Sequence, residues 1–386
     1  MASQYYEPDG ACADFFIISN QLDVRPNGKS VSQNSTKVAE MFEHIASKWP
    51  HWNRTAGANL TRHLVLSPCD HGPGDCMYNS LLYLPRRSAR LPASVRPSNL
   101  QRKVGFLEPT GATGATAFFQ PGIDIRLPQD EHHSCGPYCG VPRVGSLSTR
   151  RGRAMPVLRE HSPWVRVDAA HRGALLRRRR PIQFFWSGWS SGVKGFRGSL
   201  FRHHCNRSGW LLRDTSPYGQ ATRRVCTDGL GQQVLDGARG GPTFLARSMS
   251  ASDFCYSPLG QHHGDSDRYL PALLYACIPV FLKKDYGPFA EVIPWHEFSL
   301  HVAPEDLPNL HKRLANIPQE DVVRMRFAMS RWWPRMLWPW KEGGAQVALG
   351  VNGTTDIRTD AFVTFIEVLR RRLEEEERGC PSDPPP

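Results

Sequence analysis

Apolar positions fall into short continuous runs that alternate with runs at helical spacing. Short apolar runs between polar residues predict buried strands at Ala13–Ser19, His63–Ser67, Ile123–Leu127, Pro181–Trp186, Asp253–Ser257 and Cys277–Leu282. Helical spacing predicts helices at Lys37–Trp49, Ser266–Ala276, Pro304–Ile317, Gln319–Trp333 and Asp360–Glu377. Residues 84–130 are otherwise expected to be mostly loop. The alternation favours an α/β chain with parallel sheets.

The positive charge of the chain is concentrated in one tract. Val141–Arg180 holds eleven Arg and two acidic residues, so it carries +9 of the net charge of +12. A basic chain is typical of nucleic-acid binding, but this excess is a low-complexity stretch without helical periodicity. We interpret it as a poorly ordered insertion and expect no nucleic-acid partner. The alternative, an Arg-tract nucleic-acid binder, predicts binding that falls steeply with salt.

Other sequence signals favour the secretory route. Five N-x-[ST] triplets occur where chance predicts roughly one, and we predict glycosylation at Asn34, Asn53, Asn59, Asn206 and Asn352. The ten Cys fit the same compartment, although their spacing leaves the connectivity open. The longest uncharged apolar run, Leu270–Leu282, has thirteen residues, whereas a spanning helix needs about 20. The N-terminus has no signal-peptide pattern.

An ordered set of motifs lies between Ser252 and Val302. It comprises Phe254-Cys255-Tyr256, Pro258, Gly260, Ser266, Arg268, Ala276-Cys277-Ile278-Pro279-Val280, Pro288-Phe289, Val292 and Trp295. This set resembles the pattern FCL-x-P-x-G, S-x-R, A-C-[IV]-P-V, PF-x-[ED]-V and Trp of the exostosin-like glycosyltransferases (glycosyltransferase family 47, plant and algal type). Weaker similarities extend over nearly the whole chain, except the Arg-rich tract, part of 221–247 and the tail.

The resemblance implies a GT-B-like fold, with two Rossmann-like domains and a cleft between them. We expect an N-terminal acceptor-side domain at 1–140, the insertion at 141–180, a nucleotide-sugar-binding domain at 181–350, a closing helix at 351–377 and a disordered tail at 378–386. Family members have an additional N-terminal strand and a membrane anchor, so we expect this chain to start inside its first domain. The family also implies a Golgi location, without an anchor in this chain.

Four residues are predicted to bind the donor: Arg268, Ser266, Arg197 and Gly260. In open α/β sheets, ligands bind beyond the carboxyl ends of the strands, and Gly260 lies in the turn after one predicted strand. Ser266 is expected to cap the next helix, whose N-terminus suits a diphosphate. Arg268 can add a bidentate phosphate contact. Arg197 follows a Gly-rich turn and is expected to contact phosphate or sugar; a solvated charge is the alternative.

The expected reaction transfers a sugar from a nucleotide, expected to be a UDP-sugar, to a glycan, cell-wall polysaccharide or glycoprotein acceptor with inversion. An inverting transfer needs a general base, and Asp70 or His71 is the candidate. We expect no cofactor and no divalent metal, although Asp265-Ser266-Asp267 matches a metal-binding D-x-D pattern. A hetero-complex with a related transferase is a further expected partnership.

One departure from the family pattern bears on activity. Family members often have Glu at the position of Pro271, where a carboxylate could bond the ribose hydroxyls. Proline cannot do so, and inside the predicted helix it should shorten or kink it. The alternative is therefore a catalytically degenerate domain that acts in binding or complex formation. Trp295, Phe289 and the strand Cys277–Leu282 are predicted to be core.

Overall fold

The computed structural model describes residues 13–18, 44–45, 47–49, 51–52, 62–66, 104–108, 113–114, 117–118, 125–128, 160–164, 169–188, 196–205, 207–215, 225–236, 241–258, 268–282, 287–338 and 360–379. The strands are β1 (Phe16–Ile18), β2 (His63–Leu66), β3 (Val104–Glu108), β4 (Thr113–Gly114), β5 (Ala117–Phe118), β6 (Ile125–Arg126), β7 (Ile182–Gly188), β8 (Trp210–Asp214), β9 (Val225–Cys226), β10 (Ser252–Ser257), β11 (Ile278–Leu282) and β12 (Leu300–Val302).

The α-helices are α1 (Ala169–Arg177), α2 (Phe196–His204), α3 (Gly229–Asp236), α4 (Gly241–Ser250), α5 (Tyr269–Leu274), α6 (Leu310–Ala315), α7 (Gln319–Trp332) and α8 (Ala361–Gly379). Short 3-10 helices span Trp295–Glu297, Pro304–Asn309 and Trp333–Met336. The predicted helices at 319–333 and 360–377 are confirmed as α7 and α8. The one at 304–317 is divided between a 3-10 helix and α6.

The N-terminal part of the described chain forms a parallel sheet in the order β1-β2-β3-β6. Three of its strands confirm the predictions at 13–19, 63–67 and 123–127. The remaining strand, β3, lies in the stretch that we expected to be mostly loop. Adjacent residues Leu64 and Val65 are both fully buried, as expected for a parallel strand that is covered on both faces.

The C-terminal sheet has the strand order β12-β11-β10-β7-β8-β9. Neighbouring strands are parallel except at β9, which runs antiparallel to β8. The predictions at 181–186, 253–257 and 277–282 are confirmed as β7, β10 and β11, whereas β8 and β12 were not predicted. The first strand of this sheet in sequence, β7, lies in its middle. β8 and β9 extend the sheet on one side of β7, and β10, β11 and β12 then extend it on the other side.

Helices cover both faces of the C-terminal sheet. Successive strand residues point to opposite faces, and Trp186 packs edge-on against Phe201 of α2 with ring centroids 5.6 Å apart. Its neighbour Phe185 packs against Phe244 of α4 at 6.1 Å. A parallel N-terminal sheet and a mostly parallel C-terminal sheet covered by helices confirm the predicted α/β class. The domain limits themselves stay predictions.

The prediction of a poorly ordered insertion at 141–180 is wrong for its described C-terminal part. Trp164 is 2% exposed, and its indole N–H donates to the Leu273 carbonyl at 2.7 Å. Ser162 donates to the Leu274 carbonyl at 2.6 Å, and Leu176 of α1 lies in the core. These contacts attach residues 160–164 and 169–177 to α5 and the C-terminal core, because buried apolar and hydrogen-bonding groups lie between the arginines.

Two disulfides in the described part of the chain supply part of the connectivity that the sequence left open. Cys205 pairs with Cys226, and Cys255 pairs with Cys277. Cys255 and Cys277 belong to the motif set, and their bridge joins β10 to the residue before β11. Among the helices described here, none has the length and apolar character required to cross a membrane.

Candidate functional site

The candidate site lies where the strand order of the C-terminal sheet reverses direction. β7 is followed in sequence by β8 on one side, and β10 adds on the other side. In open α/β sheets, a ligand binds in the crevice beyond the carboxyl ends of the two strands at such a switch point. The carboxyl ends here are Gly188 of β7 and Ser257 of β10.

Arg268 lies against the carboxyl end of β7. A methyl group added at Gly188 would lie 3.1 Å from the Arg268 Nη2 atom and 3.0 Å from the Trp186 ring. Arg268 occupies the N-cap position of α5. Its backbone carbonyl accepts the first helical hydrogen bond, from the Ala272 N–H, at 3.2 Å. The helix therefore holds the Arg268 guanidinium at the switch point, over the face of the sheet that carries Trp186.

The helix start differs from the prediction. α5 begins at Tyr269 and has Arg268 at its N-cap position, whereas the sequence predicted a start at Ser266. Pro271 explains the shift, since a residue without an N–H is tolerated in the first turn, where the N–H has no helical partner. Pro271 therefore occupies the third position of a six-residue helix. The expected shortening is confirmed, and the ring is accommodated in the first turn.

Arg197 is the second residue of α2 and is partly buried. It approaches the carboxyl end of β10, where its positive charge acts on the phenol of Tyr256. Burial raises the pKa of Tyr256 above its ordinary value, and the Arg197 charge partly opposes that rise. Two arginines that the sequence analysis predicted as phosphate contacts, Arg197 and Arg268, thus lie at the two central strand ends. A guanidinium can bind phosphate through two parallel hydrogen bonds.

Tyr256 is a residue of this site that sequence reasoning did not select. It is 2% exposed, and its ring lies 6.1 Å from that of Phe184 on β7. Its buried hydroxyl has no hydrogen-bond partner among the described residues. One sequence signal could have pointed to Tyr256. The family pattern has Leu at this position, so the hydroxyl is a departure of this chain from that pattern.

The motif residues behind Arg268 form a packed scaffold. Trp295 is 5% exposed and Phe289 is 1% exposed, so their predicted core role is confirmed, as is that of β11. The Trp295 ring meets Tyr269 of α5 edge-on at 5.9 Å, and its indole N–H donates to the Pro288 carbonyl at 2.8 Å. These contacts fix the start of α5 and therefore the position of Arg268.

A second group of charged residues lies at the opposite end of the same sheet. Arg326 donates to the Asp253 carboxylate at the start of β10 and to the Leu176 carbonyl at 3.2 Å. Arg180 donates to three carbonyls, including that of Ser252 at 2.7 Å. Burial lowers the pKa of Arg326, which the Asp253 charge opposes. Because protein groups pair with these charges, we assign them a structural role.

Several predicted site residues lie outside the described part of the chain. They are Asp70, His71, Gly260, Ser266, the D-x-D aspartates Asp265 and Asp267, and the sequon residues Asn34, Asn53, Asn59, Asn206 and Asn352. Their roles stay predictions.

Comparison with known proteins shows what this chain is similar to. Residues 145–317 match the Exostosin GT47 domain. The chain is 40% identical over 327 residues to a probable glucuronosyltransferase of Oryza sativa subsp. japonica, covering 84% of this chain and 63% of that protein. It is 25% identical over 317 residues to a probable beta-1,4-xylosyltransferase of Arabidopsis thaliana, covering 81% and 61%. The chain thus spans less than two thirds of these relatives.

A solved structure, AviGT4, a glycosyltransferase involved in avilamycin A biosynthesis, aligns with 14% identity and a TM-score of 0.28 over 82% of this chain and 84% of that one. In a doubly wound α/β sheet, the switch point is a ligand-binding position, and Arg197 and Arg268 lie beside it here. The family match makes this more specific: the segment that contains this switch point lies within residues 145–317, which are similar to the Exostosin GT47 domain.

Proposed function

We propose that the chain transfers a sugar from a nucleotide, in the first instance a UDP-sugar, to a glycan, cell-wall polysaccharide or glycoprotein acceptor with inversion. The observation that carries the proposal is the pair Arg197 and Arg268 at the switch point between β7 and β10. The negative charge on the departing nucleoside diphosphate grows in the transition state, and fixed guanidinium groups stabilise it. They supply positive charge that a divalent metal provides in other transferases, so we propose that none is required.

Donor binding is tested by calorimetry and thermal unfolding with UDP, GDP and a panel of UDP-sugars, with and without Mn²⁺. UDP at 100 times its dissociation constant should stabilise the folded state by about 2.7 kcal/mol. Arg268→Ala should weaken UDP binding by about 10- to 100-fold, as expected for a charged hydrogen-bonded contact. The matched control is Arg324→Ala, which removes an arginine whose side chain is 76% exposed on α7. If folded wild-type protein binds none of these ligands, the proposal is wrong.

The alternative function is a degenerate domain that binds without turning over. Pro271 favours it, since it stands where the family often has Glu and is buried in the first turn of α5. The two functions differ in turnover: an active enzyme releases UDP from a UDP-sugar in the presence of acceptor oligosaccharides. If wild-type protein binds UDP without turnover and Pro271→Glu gains it, the domain is degenerate.

The acceptor side and the cellular setting are also part of the proposal. Asp70 or His71 acts as the general base, so Asp70→Asn or His71→Gln should abolish turnover while UDP binding is kept. Family membership and the five sequons favour the Golgi lumen. A mass decrease on enzymatic removal of N-glycans from protein made in a eukaryotic host would support the secretory route, and an unchanged mass would count against it.

A further inference from the structure

The Tyr256 hydroxyl is a buried polar group that pairs with none of the residues described by the structure. The side chain is 2% exposed at the carboxyl end of β10, and the hydroxyl has no partner among the described residues. Most buried polar side chains in folded proteins are hydrogen-bonded, so an unpaired hydroxyl needs an explanation. The ring alone would fill the same space, since Tyr and Phe differ only in that oxygen.

The position of the hydroxyl connects it to the donor site. Cys255 pairs with Phe185 in the β7–β10 ladder, so the next residue, Tyr256, lies beside Trp186. The Trp186 ring adjoins the space at Gly188 into which the Arg268 guanidinium projects. Arg197, on α2, lies close enough to Tyr256 for its positive charge to favour the ionised phenol.

The environment keeps this hydroxyl a hydrogen-bond donor. Burial disfavours the charged phenolate, and a neutral phenol can donate its proton to an anion. Two guanidinium groups at the same strand ends attract negative charge. An oxygen of a diphosphate bound between them is therefore the partner that the hydroxyl lacks.

We propose that the Tyr256 hydroxyl donates a hydrogen bond to a diphosphate oxygen of the nucleotide donor, between Arg197 and Arg268. The inference rests on the proposed donor site and adds a binding residue at a position where the family pattern has Leu. The hydroxyl is thereby a feature of this chain that tightens its hold on the diphosphate.

The test compares UDP and UMP binding by calorimetry to wild-type protein, Tyr256→Phe and Tyr275→Phe. Tyr275 is a matched control, because it is also a fully buried tyrosine but follows the C-terminal end of α5. Tyr256→Phe should weaken UDP binding about tenfold, as expected for one hydrogen bond to a charged group, and should affect UMP less. Its melting temperature without ligand should equal or exceed that of the wild type, since no partner is lost.

The outcomes separate this inference from the proposed function. If wild-type protein binds UDP and Tyr256→Phe binds it equally well, the inference is wrong and the donor site stands. An equal loss for UDP and UMP would place the contact outside the second phosphate and would also overturn it. If neither wild-type protein nor Tyr275→Phe binds UDP while both are folded, the proposed function fails and the inference with it.

Discussion

Replacing Trp164 tests whether the end of the Arg-rich tract is part of the folded domain. Trp164 is 2% exposed and stacks on Trp333 with ring centroids 5.9 Å apart. Its indole N–H donates to the Leu273 carbonyl of α5 at 2.7 Å. The side chain therefore joins the tract to the helix whose N-cap is Arg268.

The magnitude follows from two losses. Truncating a buried Trp to Ala leaves a cavity and costs about 3 to 5 kcal/mol of unfolding free energy. Trp164→Phe keeps most of the apolar volume and removes one hydrogen bond, since the Leu273 carbonyl still accepts from the Ala276 N–H, which costs about 0.5 to 1.5 kcal/mol. We therefore expect Trp164→Ala to be clearly more destabilising than Trp164→Phe.

The assay is urea unfolding of the protein with its disulfides intact. The quantity compared between variants is the free energy of the unfolding transition of the C-terminal sheet and its helices. Trp49→Ala is the control, because Trp49 is 43% exposed and lies in the N-terminal part of the chain; it should change that transition by less than about 1 kcal/mol. If Trp164→Ala proves as mild as this control, the tract does not pack as described.

Three further predictions concern the site and the buried ionisable groups. Gly188→Ala should push the Arg268 guanidinium aside and weaken UDP binding in calorimetry several-fold, whereas Gly229→Ala, where an added methyl meets nothing within 4 Å, should leave it unchanged. Asp253→Ala strands a buried guanidinium and should cost about 3 to 5 kcal/mol in urea unfolding; a loss below 1 would contradict the pairing. Burial lowers the pKa of His204 to about 4 from 6.5, so the folded protein favours the neutral imidazole. About 3 kcal/mol of unfolding free energy should therefore be lost as the pH falls from about 6.5 to about 4. His204→Gln should flatten this pH dependence, and an equal slope in the variant would refute its assignment to His204.

Strands with continuous apolar runs could be predicted from the sequence, because a parallel strand buried on both faces needs no polar alternation. β11, with five successive apolar residues, is of this kind. β8 was missed although its residues Trp210, Leu211 and Leu212 are buried, since three apolar residues between polar ones carry little periodic signal. Composition also led to the wrong prediction that the Arg-rich tract is poorly ordered. Trp164 is a single aromatic residue among many arginines, and its burial in the core depends on tertiary partners that the local sequence does not show.

Two arginines of the candidate site could be selected from the sequence, but their arrangement could not. Arg268 and Arg197 could be selected because each follows a predicted strand and a turn. Their convergence depends on β10 pairing with β7, and such pairing between strands distant in sequence is set by tertiary packing. The start of α5 was misjudged because the cap signal of Ser266 was weighed above the restriction that Pro271 imposes.

The strand order also shows which end of the C-terminal sheet each described arginine lies at, and this bears on its role. Arg180, the last residue of the Arg-rich tract, donates to the carbonyls of Met249, Ser252 and Tyr275, and Arg177 lies over the Phe327 ring at 5.1 Å. These arginines bind the protein itself at the amino end of the sheet, so they are not available as a continuous phosphate-binding surface. Arg197 and Arg268 lie at the carboxyl end, where a doubly wound sheet binds its ligand. Position relative to the sheet therefore distinguishes the arginines that pair with protein groups at its amino end from the two that we propose bind a nucleotide, which the net charge alone does not.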